Sequence, residues 1–296
     1  MGSLRKLTAM RRLLLLLSLI FAFFVCQGQY AGIVAGSNES EFCAEWQAVL
    51  DKMDIEPGRD GDDTSMMFNE FIEGCITDDT WDSILAFWVP AARTEAGAYL
   101  NFKDPTGDDN LTNGGSATWT QYTGFDGNGS DMVVGTNLTP SSEGGSIYTL
   151  DNSGVCVYTL EDLSETTTAI GTGGTHMAMI RPKTETGNLS TRINTNGTAS
   201  TGAVTAGNGF TSIARLGATL TRVYKNGAEH STSATASTSL PTTQFTLLEN
   251  GTAGENSNNT VAAAGVTMGL SAAKQALLFT RIEKLMDDLG IGVVAP

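Results

Sequence analysis

The chain is poor in histidine, cysteine and positive charge, and each shortage closes off a class of function. Only two histidines occur, His176 and His230, and no serine stands in a nucleophile-elbow pattern, which argues against Ser-His-Asp catalysis. The four cysteines form no Cys-x-x-Cys pair and no Cys/His cluster, which argues against a structural zinc site. Lys and Arg number 17 against 32 Asp and Glu, a net charge of -15. A nucleic-acid backbone needs clustered Lys and Arg, so nucleic acid is not the expected partner. Charged residues are only 17% of the chain. The polar surface must then come from Thr, Ser, Asn and Gly, which suits a secreted β-rich protein. After about residue 98 no long helix separates the strand-like runs, which excludes a parallel α/β fold until the C-terminal helix is reached. No fixed repeat period is present.

What is there begins with a targeting signal. Arg5, Lys6, Arg11 and Arg12 precede thirteen apolar-rich residues, LLLLLSLIFAFFV at 13–25. That length fits a signal-peptide core and is short for a membrane span. Gly28 offers a cut before Gln29, giving a signal peptide over 1–28. A lipidated Cys26 and an uncleaved anchor are the alternatives; Val25, rather than Gly or Ala, precedes that cysteine. The mature chain is expected to be secreted or held at a cell or virion surface, with no membrane span. Its remaining cysteines are Cys43, Cys75 and Cys156. An oxidising compartment permits one bridge, and Cys43–Cys75 is the expected pair, with Cys156 a buried thiol in a strand.

Residues 29–97 read as a helical segment. SEFCAEWQAVLDKM places Phe42, Trp46, Val49 and Met53 on one stripe behind Ser40 as cap. TSMMFNEFIEGC turns Met67, Phe68, Phe71 and Ile72 inward from Thr64. TDDTWDSILAFWVP predicts a third helix over 77–90, ended by Pro90. The aromatics on these stripes read as core. This part is also the acidic one: residues 31–98 carry 15 acids against three bases. A solvated helical face is the expected reason, with divalent-cation binding as the alternative.

Residues 98–296 have a different texture. AYLNF, TWTQYTGF, DMVVGT, SIYTL, VCVYTL, HMAMIRP, STRIN, GFTSIARL, TLTRVYKN, TQFTLLE and VAAAGVTMG are candidate strands, many separated by Asn-Gly pairs. In TRVYKNGAEHSTS the Asn226-Gly227 pair predicts a type I′ hairpin that sends Val223 one way and Arg222 and Tyr224 the other. Ten or so strands at this spacing mean an antiparallel sandwich or barrel. The stretch 270–290 predicts a helix capped by Ser271 and stopped by Gly290, with Ala273, Leu277, Leu278, Ile282, Leu285 and Leu289 inward.

Few stretches carry chemistry. EDLSE at 161–165 puts Glu161 and Glu165 on one face if extended, but Leu163 stands where a middle carboxylate would be needed for a glucanase strand. GTGGTH at 171–176 precedes a strand rather than a helix, so it reads as a glycine-rich loop and not a phosphate cradle. The candidate calcium ligands are Asp104, Asp108, Asp109, Asp126 and Asp131, hard oxygen donors in two Asp/Asn/Gly loops that equally suit plain turns. Trp119, Tyr122, Tyr148 and Tyr224 are available for sugar stacking but are expected to alternate into the core.

LNFKDPTGDDN leading to GFDGNGS, STRIN followed by GFTSIARLGATLTRVYKNG, LPTTQFTLLENG, and a final strand running into the helix of 270–290 together resemble the concanavalin A-like, laminin-G-like jelly-roll superfamily, in the form found in phage virion and secreted microbial proteins. The resemblance covers roughly 98–290. It implies a mainly β fold, an antiparallel jelly-roll β-sandwich with a small N-terminal helical unit and a C-terminal helix. It speaks poorly to function, because such folds host lectins, glucanases, adhesion modules and virion parts. The acidic triplet of the superfamily's glucanases is not matched at EDLSE. The expectation is an exported non-enzymatic protein binding a glycan or surface protein partner, with no cofactor other than calcium. A homo-oligomeric structural subunit of a surface layer, filament or virion is the alternative, and a glycoside hydrolase the third.

Overall fold

The computed structural model describes residues 42–53, 64–115, 117–130, 134–197, 199–249 and 256–294. The signal segment with Cys26, the cap Ser40, and Asp131 lie outside the described residues.

Two of the three N-terminal helices form where the apolar spacing places them. Helix α1 (Ala44–Lys52) buries Trp46, Val49 and Leu50, and α2 (Thr64–Thr77) buries Phe68, Phe71, Ile72 and Cys75. Two single-turn helices follow, α3 (Glu95–Ala98) and α4 (Pro140–Glu143). The long C-terminal helix is α5 (Ala272–Asp288), where the Ser271 hydroxyl accepts the Lys274 amide and Gly290, at φ +77°, ends the turn beyond it.

The third predicted helix, 77–90, does not form. A 3-10 turn at Trp81–Ser83 leads instead into strand β1 (Ile84–Trp88). The reason is burial on both sides. Ala86 and Trp88 enter one apolar cluster and Ile84 and Phe87 another. A strand buried on both faces is a continuous apolar run, which periodicity cannot separate from a buried helix.

Fourteen further strands complete the described chain: β2 (Thr112–Asn113), β3 (Thr118–Thr120), β4 (Gly124–Asp126), β5 (Val134–Gly135), β6 (Ser153–Thr159), β7 (Ile170–Thr172), β8 (Met177–Arg181), β9 (Asn188–Thr195), β10 (Ser200–Ala203), β11 (Gly209–Gly217), β12 (Leu220–Lys225), β13 (Ala228–Ser233), β14 (Phe245–Leu247) and β15 (Thr260–Thr267). They make two antiparallel sheets. The first runs β13-β12-β11-β6-β15-β4-β3, with β1 also paired to β15; the second runs β10-β9-β8-β7-β14-β5-β2. This is the mainly β sandwich the sequence predicts. Two expected strands are absent. AYLNF is the end of α3 and a turn, and SIYTL is a turn that drives Tyr148 into the core, where its hydroxyl donates to Asn194 Oδ1 at 2.8 Å.

Between the sheets lies one core cluster, including Trp88, Phe125, Val155, Val157, Ile180, Leu189, Ile193, Ile213, Val223 and Phe245. A second cluster lies on the outward face of the first sheet. There Phe87, Cys156, Tyr158 and Phe210 meet Trp46, Phe68, Phe71, Ile72, Leu278 and Ile282 from the helices. Helix α2 crosses α5 at Gly74, where a Cβ would come within 2.6 Å of Arg281 Cδ; only glycine admits the Arg281 side chain on its way to Asp78.

The predicted Cys43–Cys75 bridge is absent; Cys43, Cys75 and Cys156 are all free. The Cys43 amide donates to Asn69 Oδ1 at 2.8 Å, which seats it beside residue 69 of α2. Cys75 is six residues further along that helix, about 9 Å at 1.5 Å per residue. Disulfide-linked Cα atoms are usually within about 7 Å. Burial pushes the Cys75 and Cys156 thiols up to about 12, so both stay protonated.

Candidate functional site

The hairpin forms as its turn residues require: Asn226 and Gly227 both have positive φ, +49° and +74°, the type I′ signature. Val223 enters the inter-sheet core and Tyr224 is buried on the opposite side of β12. The end of this hairpin belongs to a polar assembly at one end of the sandwich, built from the segments 126–130, 160–165, 204–208 and 256–260. Lys225 donates to Gly207 O (2.8 Å), Asn208 O (2.7 Å) and Thr211 Oγ1 (3.1 Å), and burial pushes its ammonium down to about 7 against these acceptors. Asp162 accepts the Gly207 amide at 2.7 Å and Lys183 Nζ at 2.9 Å, which hold its carboxyl below the usual range.

The structure brings two sequence candidates together here and shows what they do. Both oxygens of Glu161 receive groups of Thr260: its amide on Oε2 and its hydroxyl on Oε1, the latter at 2.7 Å. Glu165 accepts Ser257 Oγ (2.6 Å) and Thr167 Oγ1 (2.8 Å) on one oxygen and the Asn258 amide (2.8 Å) on the other. The EDLSE carboxylates therefore pin the segment 257–260 by accepting its hydroxyls and amides. Asp126 lies 3.1 Å from the same Thr260 hydroxyl. That hydroxyl has one proton and is nearer to Glu161, so the Asp126 contact is the weaker of the two.

The other candidate ligands are elsewhere. Asp109 is beside Trp88, whose indole N–H donates to Asp109 O at 2.8 Å. Trp88 pairs with Ala264 and Asp126 with Thr260, four residues apart on β15, or about 13 Å. Burial, then the charges of Glu143, Asp104 and Asp108, raise the Asp109 carboxyl above its ordinary value. Asp104, Asp108 and Asp109 thus share one loop, Asp126 ends strand β4, and Asp131 is outside the described residues. Among the described residues no group of three or more His, Cys, Asp or Glu converges as a metal holder. No helix among them is long and apolar enough to cross a membrane.

GTGGTH ends β7 with its first two residues and then forms the loop 173–176 before β8, so it precedes a strand as predicted. His176 Nδ1 is 2.9 Å from Thr238 Oγ1, and the His230 ring packs against Gly202. Of the aromatics expected to alternate into the core, Tyr148 and Tyr224 are buried, Trp119 is half-buried with its N–H on Pro90 O, and Tyr122 is half-buried at φ +58°.

Sequence reasoning missed the two broad faces. The outward face of the first sheet is sealed by the helices. No second apolar layer lies on the outward face of the other sheet among the described residues. Since Leu189, Ile193, Ala178 and Ile180 point into the core, alternation turns Ser190, Arg192, Met179 and Arg181 outward. Register places Arg192 opposite Met179, Arg181 opposite Ser190, and Thr201 opposite Ser190 on the far side. The alternation in NLSTRINT carried this signal, but which side would stay uncovered depends on where the helices pack.

No family model matches the chain. No curated protein matches it either. Among solved structures it is similar to domain 4 of AbnA, a GH43 extracellular arabinanase from Geobacillus stearothermophilus, in complex with arabinotriose: 12% identity, TM-score 0.45, over 66% of this chain and 98% of that one. It is similar to a Trypanosoma rangeli sialidase at 12% identity and TM-score 0.49, over 75% of this chain and 40% of that one. It is also similar to the botulinum neurotoxin serotype D binding domain at 13% identity and TM-score 0.46, over 68% and 52%. The chain thus spans two-fifths of the sialidase and about half of the toxin chain.

Proposed function

We propose that this chain is an exported, non-enzymatic binding module of the concanavalin A-like kind, taking a glycan or a surface protein at a cell or virion surface. The observation that carries the reading is the inequality of the two broad faces: helices occupy one, and the other presents the exposed Thr201 and the half-buried Arg192 and Arg181 over the buried Ser190 and Met179, without a helical layer among the described residues. Guanidinium and hydroxyl groups on such a face supply donors and acceptors for hydrogen-bonded recognition. The commitment of all four oxygens of Glu161 and Glu165 to neighbouring amides and hydroxyls argues in the same direction, because a carboxylate pair for glycoside hydrolysis must face the scissile bond. The test is a glycan array probed with mature protein, with and without a chelator. Binding to a defined glycan set is expected, and silence in both conditions overturns the reading.

A second reading, a structural subunit that packs against copies of itself, is favoured by one observation. The large exposed apolar side chains, Met66, Ile76 and Leu277, all lie on the helical layer. Sizing and electron microscopy of the mature protein test it; a strictly monomeric species at high concentration removes it.

A further inference from the structure

Arg181, Arg215, Arg222 and Arg281 each have an oxygen partner, although the Arg222 Nε, like that of Arg192, is shielded without one. Arg281 holds Asp78 at 2.8 and 3.2 Å through Nε and Nη2, and Arg222 holds Glu229 at 2.9 Å. Arg215 is fully buried between the sheets and donates to the carbonyls of Ile193, Gly217, Ala218 and Thr235. Arg93 and Arg181 are also engaged, Arg181 through Nε to Thr168 Oγ1 among others. Arg192 is the exception. Its Nη1 lies 3.5 Å from Met177 Sδ, a weak acceptor, and its Nε is shielded from solvent with no partner. Among the described residues no carboxylate or carbonyl meets it, although the chain carries nearly twice as many acids as bases.

This arrangement is costly unless something completes it. A shielded donor left without an acceptor is unfavourable, and such groups in native structures call for an explanation. A guanidinium forms its best hydrogen bonds with planar or tetrahedral oxyanions, and those bonds are charge-assisted. The surroundings narrow the partner further. Arg181 is a diagonal neighbour on the same face, about 7–8 Å away by strand geometry, so the local charge is positive on an acidic protein. Thr201 and Asn188 are on the same face of β10 and β9, and offer hydroxyl and amide groups. No large apolar side chain is exposed there; those that are exposed lie on the helices. A protein partner usually buries aromatic or aliphatic anchors at the centre of its interface, and this face offers none.

We infer that the outward face of the second sheet binds an acidic saccharide, with Arg192 as the anchor for its carboxylate or sulfate. This rests on the binding-module reading above and gives it a ligand class. The guanidinium swings off Met177 and exchanges a thioether for an oxyanion, while Thr201 and Asn188 take sugar hydroxyls.

The experiment measures binding of the mature protein to immobilised polygalacturonate, dextran sulfate and uncharged dextran at low and high salt, alongside the full glycan array. Retention on polygalacturonate or dextran sulfate but not on dextran is expected, falling with salt. Polygalacturonate reports a carboxylate ligand and dextran sulfate a sulfate. R192Q weakens binding roughly tenfold to a hundredfold, R192K weakens it less, and R222Q, on the other sheet, leaves it unchanged. Thermal melts of the variants matching the parent show that the fold is intact. Acidic-polymer binding that survives in both R192Q and R192K, or a preference for uncharged glycans, overturns the inference and leaves the binding-module reading standing. No binding to any glycan, charged or neutral, overturns both.

Discussion

The two outward faces of this sandwich are made from the same kind of strand and end as different objects. On the first sheet, Phe87, Tyr158 and Phe210 face outward and are buried, because α1, α2 and α5 bring Trp46, Phe68, Phe71 and Leu278 down onto them. On the second sheet the outward positions hold the half-buried Arg192 and Arg181, the exposed Thr201 and the buried Ser190 and Met179, and no helix supplies an apolar layer among the described residues. A strand residue is therefore core or surface according to what the rest of the chain lays on it. The face without a helical layer is the one the binding proposal uses.

The largest expected effect attacks the covered face. Phe87 is buried and stacks on Phe71 with ring centroids 5.1 Å apart. F87A removes that ring from between helix and sheet and is expected to cost about 3–5 kcal/mol in urea unfolding. A cost below about 1 kcal/mol would mean that the helices do not seal this sheet. Next comes the tie between the sheets: R215M leaves several buried carbonyls unpaired and is expected to cost about 2–4 kcal/mol.

The polar end supplies a pH dependence. Lys225 falls from an ordinary 10.5 to about 7 in the folded chain, so above pH 7 the unfolded chain binds the extra proton. Stability then rises with pH between about 7 and 8.5, and the penalty of the buried charge is fully present below 7. Denaturant midpoints at pH 6.5, 7.5 and 8.5 should climb in the parent and climb less in K225M; parallel slopes would refute this. Smallest of all is T201A on the uncovered face, expected to stay within about 0.5 kcal/mol of the parent in the same unfolding assay. A larger loss would show that this face is sealed after all.

Much of the fold was legible in sequence for local reasons. The period of α1, α2 and α5, the Asn226-Gly227 turn and the alternation of β9, β11 and β12 each depend on residues within one element. The misreadings have physical causes too. ILAFW looked helical because both its faces are buried. Leu277, expected inward on α5, is exposed, while Gln275 and Glu283 are buried because the Ser212 and Tyr158 hydroxyls on the sheet donate to their Oε1 atoms at 2.7 and 3.1 Å. Burial of a polar residue is decided by a partner far away in the chain, which periodicity does not register. The candidate site was less legible. EDLSE drew attention through its carboxylates, and the structure spends them on Thr260, Ser257 and Asn258. Arg192 drew none, because an arginine in a strand looks ordinary until its neighbours are known.

Sequence by itself determined that this is an antiparallel β protein with helices before and after its strands, since that conclusion rests on turn residues and short-range period. Tertiary structure alone decided which sheet face is sealed, which carboxylates serve as staples and which arginine is left without a partner. Those are contacts between residues distant in the chain, such as the 99 positions from Glu161 to Thr260, and no local pattern encodes them.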